Sequence, residues 1–366
     1  MALRQLMLFL GAGASAPAGL PLVREFFEHV DFPPDRGFRA ACLRVAQLIE
    51  AEEGRSAPGD LKGYDAENLF GRLEMLSQTE ALLQHPLKIP VSATTNIGVS
   101  PRELLDFLKR EVVRIYGKTP PSHSLPPVPT RAPDYQPLLG VLHMAAPIED
   151  PLRVLTTNYD TLVEEFFSSK VNSEWLHQGY RAKLVTGFSE SGSRAFRPQT
   201  FAAKSAPGER LVHFIKLHGS VSWKLQRRLG GQTVVETGGF TAPTGEHDCV
   251  LYFGYKSVPQ EEPFKTLHNQ LKDGLLRPGT MIVIGFQFAD PYIRETFDFA
   301  LRANKTLRLI CCLRRSPESN TPLKNLMEAF PEQISVLRGR DKEPVPFGDR
   351  GFYEALRAAL EESGSG

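Results

Sequence analysis

An apolar run that leads straight into a glycine-rich turn, near the start of the chain, constrains the fold more than any other feature. The run covers 6–10, and a helical pattern follows over 22–30. The turn between them begins Gly11-Ala12-Gly13-Ala14-Ser15. A short, continuously apolar run is typical of a strand buried on both faces of a parallel sheet. Gly11 and Gly13 permit a tight turn and let the backbone approach a ligand closely.

This strand–turn–helix unit has two interpretations. The N–H groups of the turn and the dipole of the following helix favour a bound phosphate, which predicts a nucleotide site. A glycine turn with nothing bound is the alternative, because a lone Gly-x-Gly pattern has low specificity.

Further short apolar runs predict more strands, and helical patterns lie between several of them. The runs are 153–156, 211–217, 249–253, 281–285 and 307–313. Alternating strands and helices predict an α/β fold, a doubly wound, Rossmann-like parallel sheet covered by helices on both faces. In such sheets ligands bind at the carboxyl ends of the strands.

Residues 31–128 interrupt this alternation, which predicts a helical insertion after the first strand–helix unit of a single domain spanning 1–366. The predicted helices of the insertion are 38–52, 65–83 and 101–116, and a proline-rich connector over 120–127 closes it. Ser100 and Pro101 are the residue types that begin a helix. Two glycine-rich polar segments predict a long loop and a hairpin, and the chain ends in a predicted flexible tail. These segments are 183–207, 230–247 and 363–366.

The charge and cysteine content narrow the class of protein. The net charge is +1 over 366 residues, so no overall basic excess favours nucleic acid or an acidic membrane surface. No stretch has the roughly eighteen apolar residues needed to span a bilayer. The four cysteines form no Cys-x-x-Cys pair, so a structural zinc site is not expected, and Cys311 and Cys312 are expected to be buried thiols. We therefore expect a cytoplasmic protein without membrane or nucleic-acid binding.

Three more motifs follow predicted strands, where the sheet rule places a ligand. After the run at 153–156, Asn158 offers an amide for a water or a ribose hydroxyl, with an Asx turn as the alternative. Asp160 is interpreted equally as a helix cap or a ligand contact. His218-Gly219 follows the run at 211–217, and the ring has the pKa of a general base near neutral pH, with a purely structural histidine as the alternative.

The last motif repeats the logic of the first turn. Gly285 follows the run at 281–285 and lets the backbone approach a ligand, and Gln287 comes two residues later. Asp290 and Pro291 are the residue types of a helix cap and a first helical position, so capping is the favoured role of Asp290.

The order of these motifs resembles the sirtuin-like superfamily from about residue 7 to residue 314. The first turn and the following Gly19-Leu20-Pro21 are similar to the sirtuin pattern Gly-Ala-Gly-x-Ser-x-x-x-Gly-Ile-Pro. The chain departs from the sirtuin deacylases in lacking their four-cysteine zinc module and in carrying Val23 and Thr157 where they carry Phe and Gln. It is more similar to the bacterial antiviral sirtuin-like effectors, which hydrolyse NAD, and 65–70 and 285–290 share this likeness.

The resemblance implies a NAD pocket and a role for each matching residue. It implies that Asn158 and His218 are catalytic, Asn158 holding the ribose or a water and His218 acting as the base. It implies contacts to NAD, as substrate and without a metal, from the remaining motif residues. These are Gly11, Ala12, Gly13, Ser15, Thr157, Asp160, Gly285 and Gln287.

The function that the resemblance implies is NAD hydrolysis to nicotinamide and ADP-ribose by an anti-phage effector that depletes cellular NAD. Such an enzyme is expected to be silent until a partner or self-assembly activates it, so a homo-oligomer and a HerA-type ATPase or short Argonaute-type partner are expected. The alternatives are a NAD-dependent protein deacylase and a non-catalytic subunit that binds NAD or ADP-ribose.

Overall fold

A computed structural model of the protein describes most of the chain. The described residues are 5–91, 98–117, 135–145, 150–168, 181–189, 194–228, 231–237, 249–253, 259–277, 279–313, 320–338, 347 and 351–363. The predicted connector at 120–127 and all but the first residue of the predicted tail at 363–366 lie outside these residues.

The strands form one large sheet and two small ones. They are β1 (Leu6–Leu10), β2 (Ile89–Pro90), β3 (Gly98–Val99), β4 (Leu152–Thr156), β5 (Arg181–Val185), β6 (Glu209–Lys216), β7 (Gly219–Arg228), β8 (Gly231–Glu236), β9 (Cys249–Leu251), β10 (Thr280–Ile284), β11 (Arg308–Cys312) and β12 (Ile334–Val336). The large sheet has the order β12-β11-β10-β1-β4-β6-β5, and every pairing in it is parallel. The predicted α/β fold is therefore confirmed.

Strand β1 lies at the centre of this sheet, with β10 on one side and β4 on the other. All five of its residues are buried, as the continuous apolar run predicts. Successive side chains of β1 enter opposite faces, since Met7 and Phe9 belong to one apolar cluster and Leu6, Leu8 and Leu10 to another. The strand order reverses at β1, and the carboxyl edge of such a switch point is where an open α/β sheet binds its ligands.

The helices cover the large sheet and form the insertion. They are α1 (Phe26–His29), α2 (Phe38–Glu52), α3 (Ala66–Leu83), α4 (Pro101–Tyr116), α5 (Gln136–Ala145), α6 (Leu162–Ser168), α7 (Phe264–Leu275), α8 (Pro291–Ala303), α9 (Thr321–Ala329) and α10 (Phe352–Ser363). Within the described residues, no helix is both long enough and apolar enough to cross a bilayer.

The helices predicted for the insertion are confirmed nearly to the residue. Helix α4 has Ser100 as its N-cap, whose hydroxyl accepts from the Glu103 N–H at 3.4 Å, and Pro101 occupies its first turn. Helices α2, α3 and α4 share a third apolar cluster, and Phe70 of this cluster stacks on Phe253 with ring centroids 4.2 Å apart. Tyr159 also belongs to this cluster, so the insertion packs against the loop after β4.

Several strands of the described residues differ from the sequence predictions. The predicted loop at 183–207 begins within β5, which is an edge strand of the large sheet. The run at 249–253 forms β9, which pairs antiparallel with β7 in a separate sheet rather than joining the large one. The segment 230–247, where a hairpin is predicted, supplies only β8 within the described residues, and the strand that pairs with β8 in a hairpin is the preceding β7. For β5 and β9 the partner strand decides the outcome, and that partner lies in a separate segment of the chain.

Candidate active site

A cavity of about 600 Å³ opens at the carboxyl edge of the large sheet, beside β1, β4, β10 and β11. Three of the four predicted motifs line it together: the turn after β1, the loop after β4 and the loop after β10. The predicted residues on its wall are Ala12, Gly13, Ser15, Thr157, Asn158, Asp160, Gly285 and Gln287. The sheet rule thus correctly brings together motifs that are distant along the chain.

The glycines of the first turn are required by the packing of two turns on each other. The Gly11 N–H donates to the Ile284 carbonyl at 2.9 Å, and the Gly13 N–H donates to the Gly285 carbonyl at 3.0 Å. A Cβ atom on Gly13 would lie 2.7 Å from the Gly285 Cα, and one on Gly11 would lie 2.6 Å from the Gly285 carbonyl oxygen. Gly285 itself has φ +65°, a conformation that favours glycine.

The same contacts limit which backbone N–H groups of this turn are available to bind a phosphate. Besides Gly11 and Gly13, the Ala14 and Ser15 N–H groups donate within the turn, to the carbonyls of Gly11 and Ala12 at 2.9 and 3.1 Å. These four donors are therefore committed inside the protein and do not point at a ligand. Phosphate binding by this turn stays a prediction for its remaining backbone groups.

Asn158 is held in one orientation by the turn after β1. Its Nδ2 atom donates to the Gly11 carbonyl at 3.0 Å and to the Ser15 hydroxyl at 2.9 Å, so both amide hydrogens are used. Its N–H donates to the Thr156 hydroxyl at 3.0 Å. The amide side chain can therefore offer the cavity only its acceptor, Oδ1.

Ser15 and Asp160 extend the hydrogen-bond network that holds Asn158. The buried Ser15 hydroxyl donates to Asp160 Oδ2 at 2.7 Å, and Asp160 Oδ1 accepts from the Leu162 N–H at 3.1 Å. Asp160 thus caps α6, which is one of the two roles predicted for it. It also accepts the hydrogen bond that fixes Ser15, and Ser15 in turn orients Asn158. Ser15 acts here by positioning another side chain.

His218 is placed differently from its sequence prediction. The residue is only 1% exposed and lies outside the cavity lining, whereas the motif predicts a ring exposed in a cleft. Its Nε2 atom lies 2.9 Å from Asp290 Oδ2, and its Nδ1 atom lies 3.6 Å from Glu67 Oε1. The ring is therefore flanked by two carboxylates.

These carboxylates set the charge of the ring. Burial alone would lower the pKa of His218, but the hydrogen bond to Asp290 and the negative charges of Asp290 and Glu67 outweigh burial and raise it to about 9. A base needs an unprotonated ring, so this arrangement disfavours the predicted role of His218 as a base near neutral pH. Asp290 also caps α8 by accepting from the Ile293 N–H at 2.9 Å, as predicted.

Part of the chain matches a known protein family in sequence. Residues 152–329 match the model of the SIR2-like domain. The matched range contains Asn158, Asp160, His218 and Gly285, and it supports the sirtuin-like resemblance of the motifs. The glycine turn after β1 and the helical insertion lie outside it.

Solved Sir2 structures are similar over nearly the whole chain but at low identity. A Sir2 homologue in complex with NAD is 12% identical, with 99% of this chain and 90% of that chain covered and a TM-score of 0.38. A Sir2 complex with a p53 peptide and NAD+ is 13% identical, with 100% and 95% covered and a TM-score of 0.39. No curated protein matches the chain in sequence.

A buried ion pair lies next to the loop that carries Asn158. Lys216 Nζ lies 2.9 Å from Glu164 Oε1 and also donates to the Asp160 carbonyl, and both charged side chains are buried. Burial raises the pKa of Glu164 to about 7 although Lys216 opposes this. The pair ties β6 to α6 at the loop that carries Asn158, and breaking such a pair typically costs about 3–5 kcal/mol.

The sequence analysis missed two carboxylates of the site, Asp65 and Glu67. Both line the cavity, although they belong to the insertion rather than to the SIR2-like range. Asp65 is the N-cap of α3, and its Oδ1 accepts from the Glu67 N–H at 2.9 Å. Burial and the charge of Glu67 raise the pKa of Asp65 to about 6. The sequence predicts a helix over 65–83, but it assigns neither carboxylate a role in the site.

Proposed function

We propose that the protein hydrolyses NAD, cleaving the N-glycosidic bond to give nicotinamide and ADP-ribose. The observation that carries this proposal is the fixed amide of Asn158, whose Oδ1 is left to accept from a ribose hydroxyl or from a water. The SIR2-like match over 152–329 supports NAD as the ligand. The cavity of about 600 Å³ is in the size range of ligand sites.

The residues present suit the chemistry of this bond. Cleavage returns the bonding electron pair to the nicotinamide nitrogen, so the leaving group departs neutral and needs no strong acid. The positive charge passes to the ribose, which needs a site that holds it, excludes bulk water and admits one oriented nucleophile. In our proposal Asn158 positions the ribose or that water, and the loop after β10 with Gly285 and Gln287 contacts the adenosine side.

We further propose, from the family resemblance, that the enzyme is an anti-phage effector of the cytoplasm that depletes NAD when activated. An enzyme that destroys NAD harms its own cell when it is always active, so a partner or self-assembly is needed to switch it on. A HerA-type ATPase and a short Argonaute-type protein are the candidate partners, and a homo-oligomer is the candidate assembly.

The experiment that tests this function compares the purified protein with Asn158→Ala in NAD consumption and nicotinamide release. We expect the unsubstituted protein to release nicotinamide, alone or once a candidate partner or self-assembly activates it. Under the same condition the variant should lose about 10²–10⁴-fold in rate, because the ribose or the water is no longer positioned. Gln78→Ala, which removes an amide from an exposed position on α3, is the matched control and should keep the full rate.

Two results would contradict the proposal. Equal turnover by Asn158→Ala would show that Asn158, the residue on which the proposal rests, is not needed for the reaction. Binding of ADP-ribose without turnover, also in the presence of each candidate partner, would instead identify a binding subunit.

A further inference from the structure

The helical insertion contributes a carboxylate to the cavity of the SIR2-like domain. Glu67 lies in the first turn of α3 and lines the cavity together with Asn158 and Gly13. The cap from Asp65 to the Glu67 N–H holds this turn in place. The third apolar cluster, with Phe70 stacked on Phe253, fixes the helix against the rest of the molecule.

The other carboxylates of the cavity are engaged in hydrogen bonds. Asp160 accepts from Ser15 and from the Leu162 N–H, and Asp290 accepts from the Ile293 N–H and contacts His218. Asp65 accepts from the Glu67 N–H. Among the described residues of the cavity wall, Glu67 is thus the carboxylate whose oxygens accept no hydrogen bond from the protein.

His218 is the neighbour of this carboxylate. Its Nδ1 atom lies 3.6 Å from Glu67 Oε1, beyond a direct hydrogen bond, and is buried without a hydrogen-bond partner. Asp290 fixes the opposite edge of the ring through Nε2. The ring therefore turns its unpartnered Nδ1 atom toward the carboxylate at the cavity wall, and when the ring is protonated this atom carries an N–H group that can orient the carboxylate.

We propose that Glu67 is a catalytic carboxylate of the reaction, and that His218, held by Asp290, positions it. This inference rests on the proposed NAD hydrolysis. In the step, the bond between the ribose C1′ and the nicotinamide nitrogen breaks and its electron pair goes to the nitrogen. A water oxygen forms the new bond to C1′, and the proton of that water passes to Glu67 and then to solvent. The negative charge of Glu67 also stabilises the positive ribose while the bonds exchange.

The test uses Glu67→Gln, which keeps the size of the side chain and removes its charge and its basicity. We expect the rate of nicotinamide release to fall about 10²–10⁴-fold, the usual loss when a general base is removed, while ADP-ribose binding is not weakened. Glu74→Gln is the matched control, because Glu74 lies on the same helix two turns further on and outside the cavity lining. It should keep the rate of the unsubstituted protein.

Azide distinguishes a catalytic carboxylate from a structural one. Azide needs no base, so it should restore nicotinamide release by Glu67→Ala and give ADP-ribosyl azide in place of ADP-ribose. Slow Glu67 variants that azide does not rescue would show a structural role and overturn the proposal.

The outcomes also separate this inference from the proposed function. A full rate in Glu67→Gln, with the rate lost in Asn158→Ala, would overturn the role of Glu67 and leave NAD hydrolysis standing. Absence of turnover by the unsubstituted protein, with and without each candidate partner, would overturn both.

Discussion

At the scale of single residues, the site depends on side chains that orient other side chains. Ser15 and Asp160 hold Asn158, and Asp290 holds His218 against Glu67. The number of donor hydrogens on each side chain explains this arrangement, because an amide with both hydrogens engaged can present only its oxygen to a ligand. The residue type at a motif position therefore does not by itself determine the role of that residue. Its hydrogen-bond partners determine the role.

The charge of His218 makes its contribution to stability depend on pH. Its pKa in the folded protein is about 9, against an ordinary value of 6.5, so the folded state binds the proton more tightly. The contribution is therefore fully present below pH 6.5 and is lost as the pH rises to about 9. The size of this shift corresponds to about 3 kcal/mol. The titratable groups that face the ring are Asp290, Glu67, His268, Tyr159 and Tyr252, and burial lowers the pKa of His268 to about 3.

Denaturant unfolding of the protein and of His218→Asn across this pH range measures the effect. We expect the difference in free energy of unfolding between the two proteins to shrink by about 3 kcal/mol as the pH rises through the window. A difference that stays constant from below pH 6.5 to above pH 9 would show that the ring is neutral in the folded protein.

At the scale of elements, the cavity depends on the contact between the turns after β1 and β10. The two turns meet through backbone atoms alone, with Gly13 against Gly285. This close approach requires glycine on both sides, and it joins two central strands of the sheet at the edge where the ligand is expected.

Gly285→Ala and Gly63→Ala separate crowding from backbone strain. Both glycines have positive φ, +65° and +72°, but a Cβ on Gly285 would lie 2.5 Å from Gly13 Cα, whereas one on Gly63 would meet nothing within 4 Å. We expect Gly63→Ala to cost about 1–2 kcal/mol in free energy of unfolding, from the left-handed backbone alone. Gly285→Ala should cost about 1–3 kcal/mol more, because the two turns must move apart. Equal losses in denaturant unfolding would mean that the turns adjust freely.

At the scale of the whole molecule, two parts of the chain share one cavity. The sheet supplies Asn158 and the glycine turns, and the insertion supplies Asp65 and Glu67. The third apolar cluster joins these parts, since it contains residues of all three insertion helices and Tyr159 from the loop after β4. A ligand in the cavity therefore contacts both parts at once.

Ligand binding should stabilise both parts together. ADP-ribose at about 100 times its Kd should raise the free energy of unfolding by about 2.7 kcal/mol, because it binds only the folded state. Hydrogen exchange should show added protection in the first turn of α3 as well as in the turns after β1 and β10. Protection confined to the sheet would contradict a shared cavity, and Asn158→Ala serves as the variant with weakened contacts.

The sequence by itself determined the elements whose signals are local, and only the tertiary structure decided how the site is assembled. The run at 6–10 and the helices 38–52 and 101–116 were predicted with their bounds, because apolar periodicity and helix caps act over a few residues. Strands β5 and β9 were misplaced, because the choice of a partner strand is made across the chain. The pairing of His218 with Asp290, 72 positions away, and with Glu67 of the insertion also arises only in the folded chain. The two carboxylates then raise the pKa of that histidine to about 9 against the effect of burial, which its sequence motif does not predict.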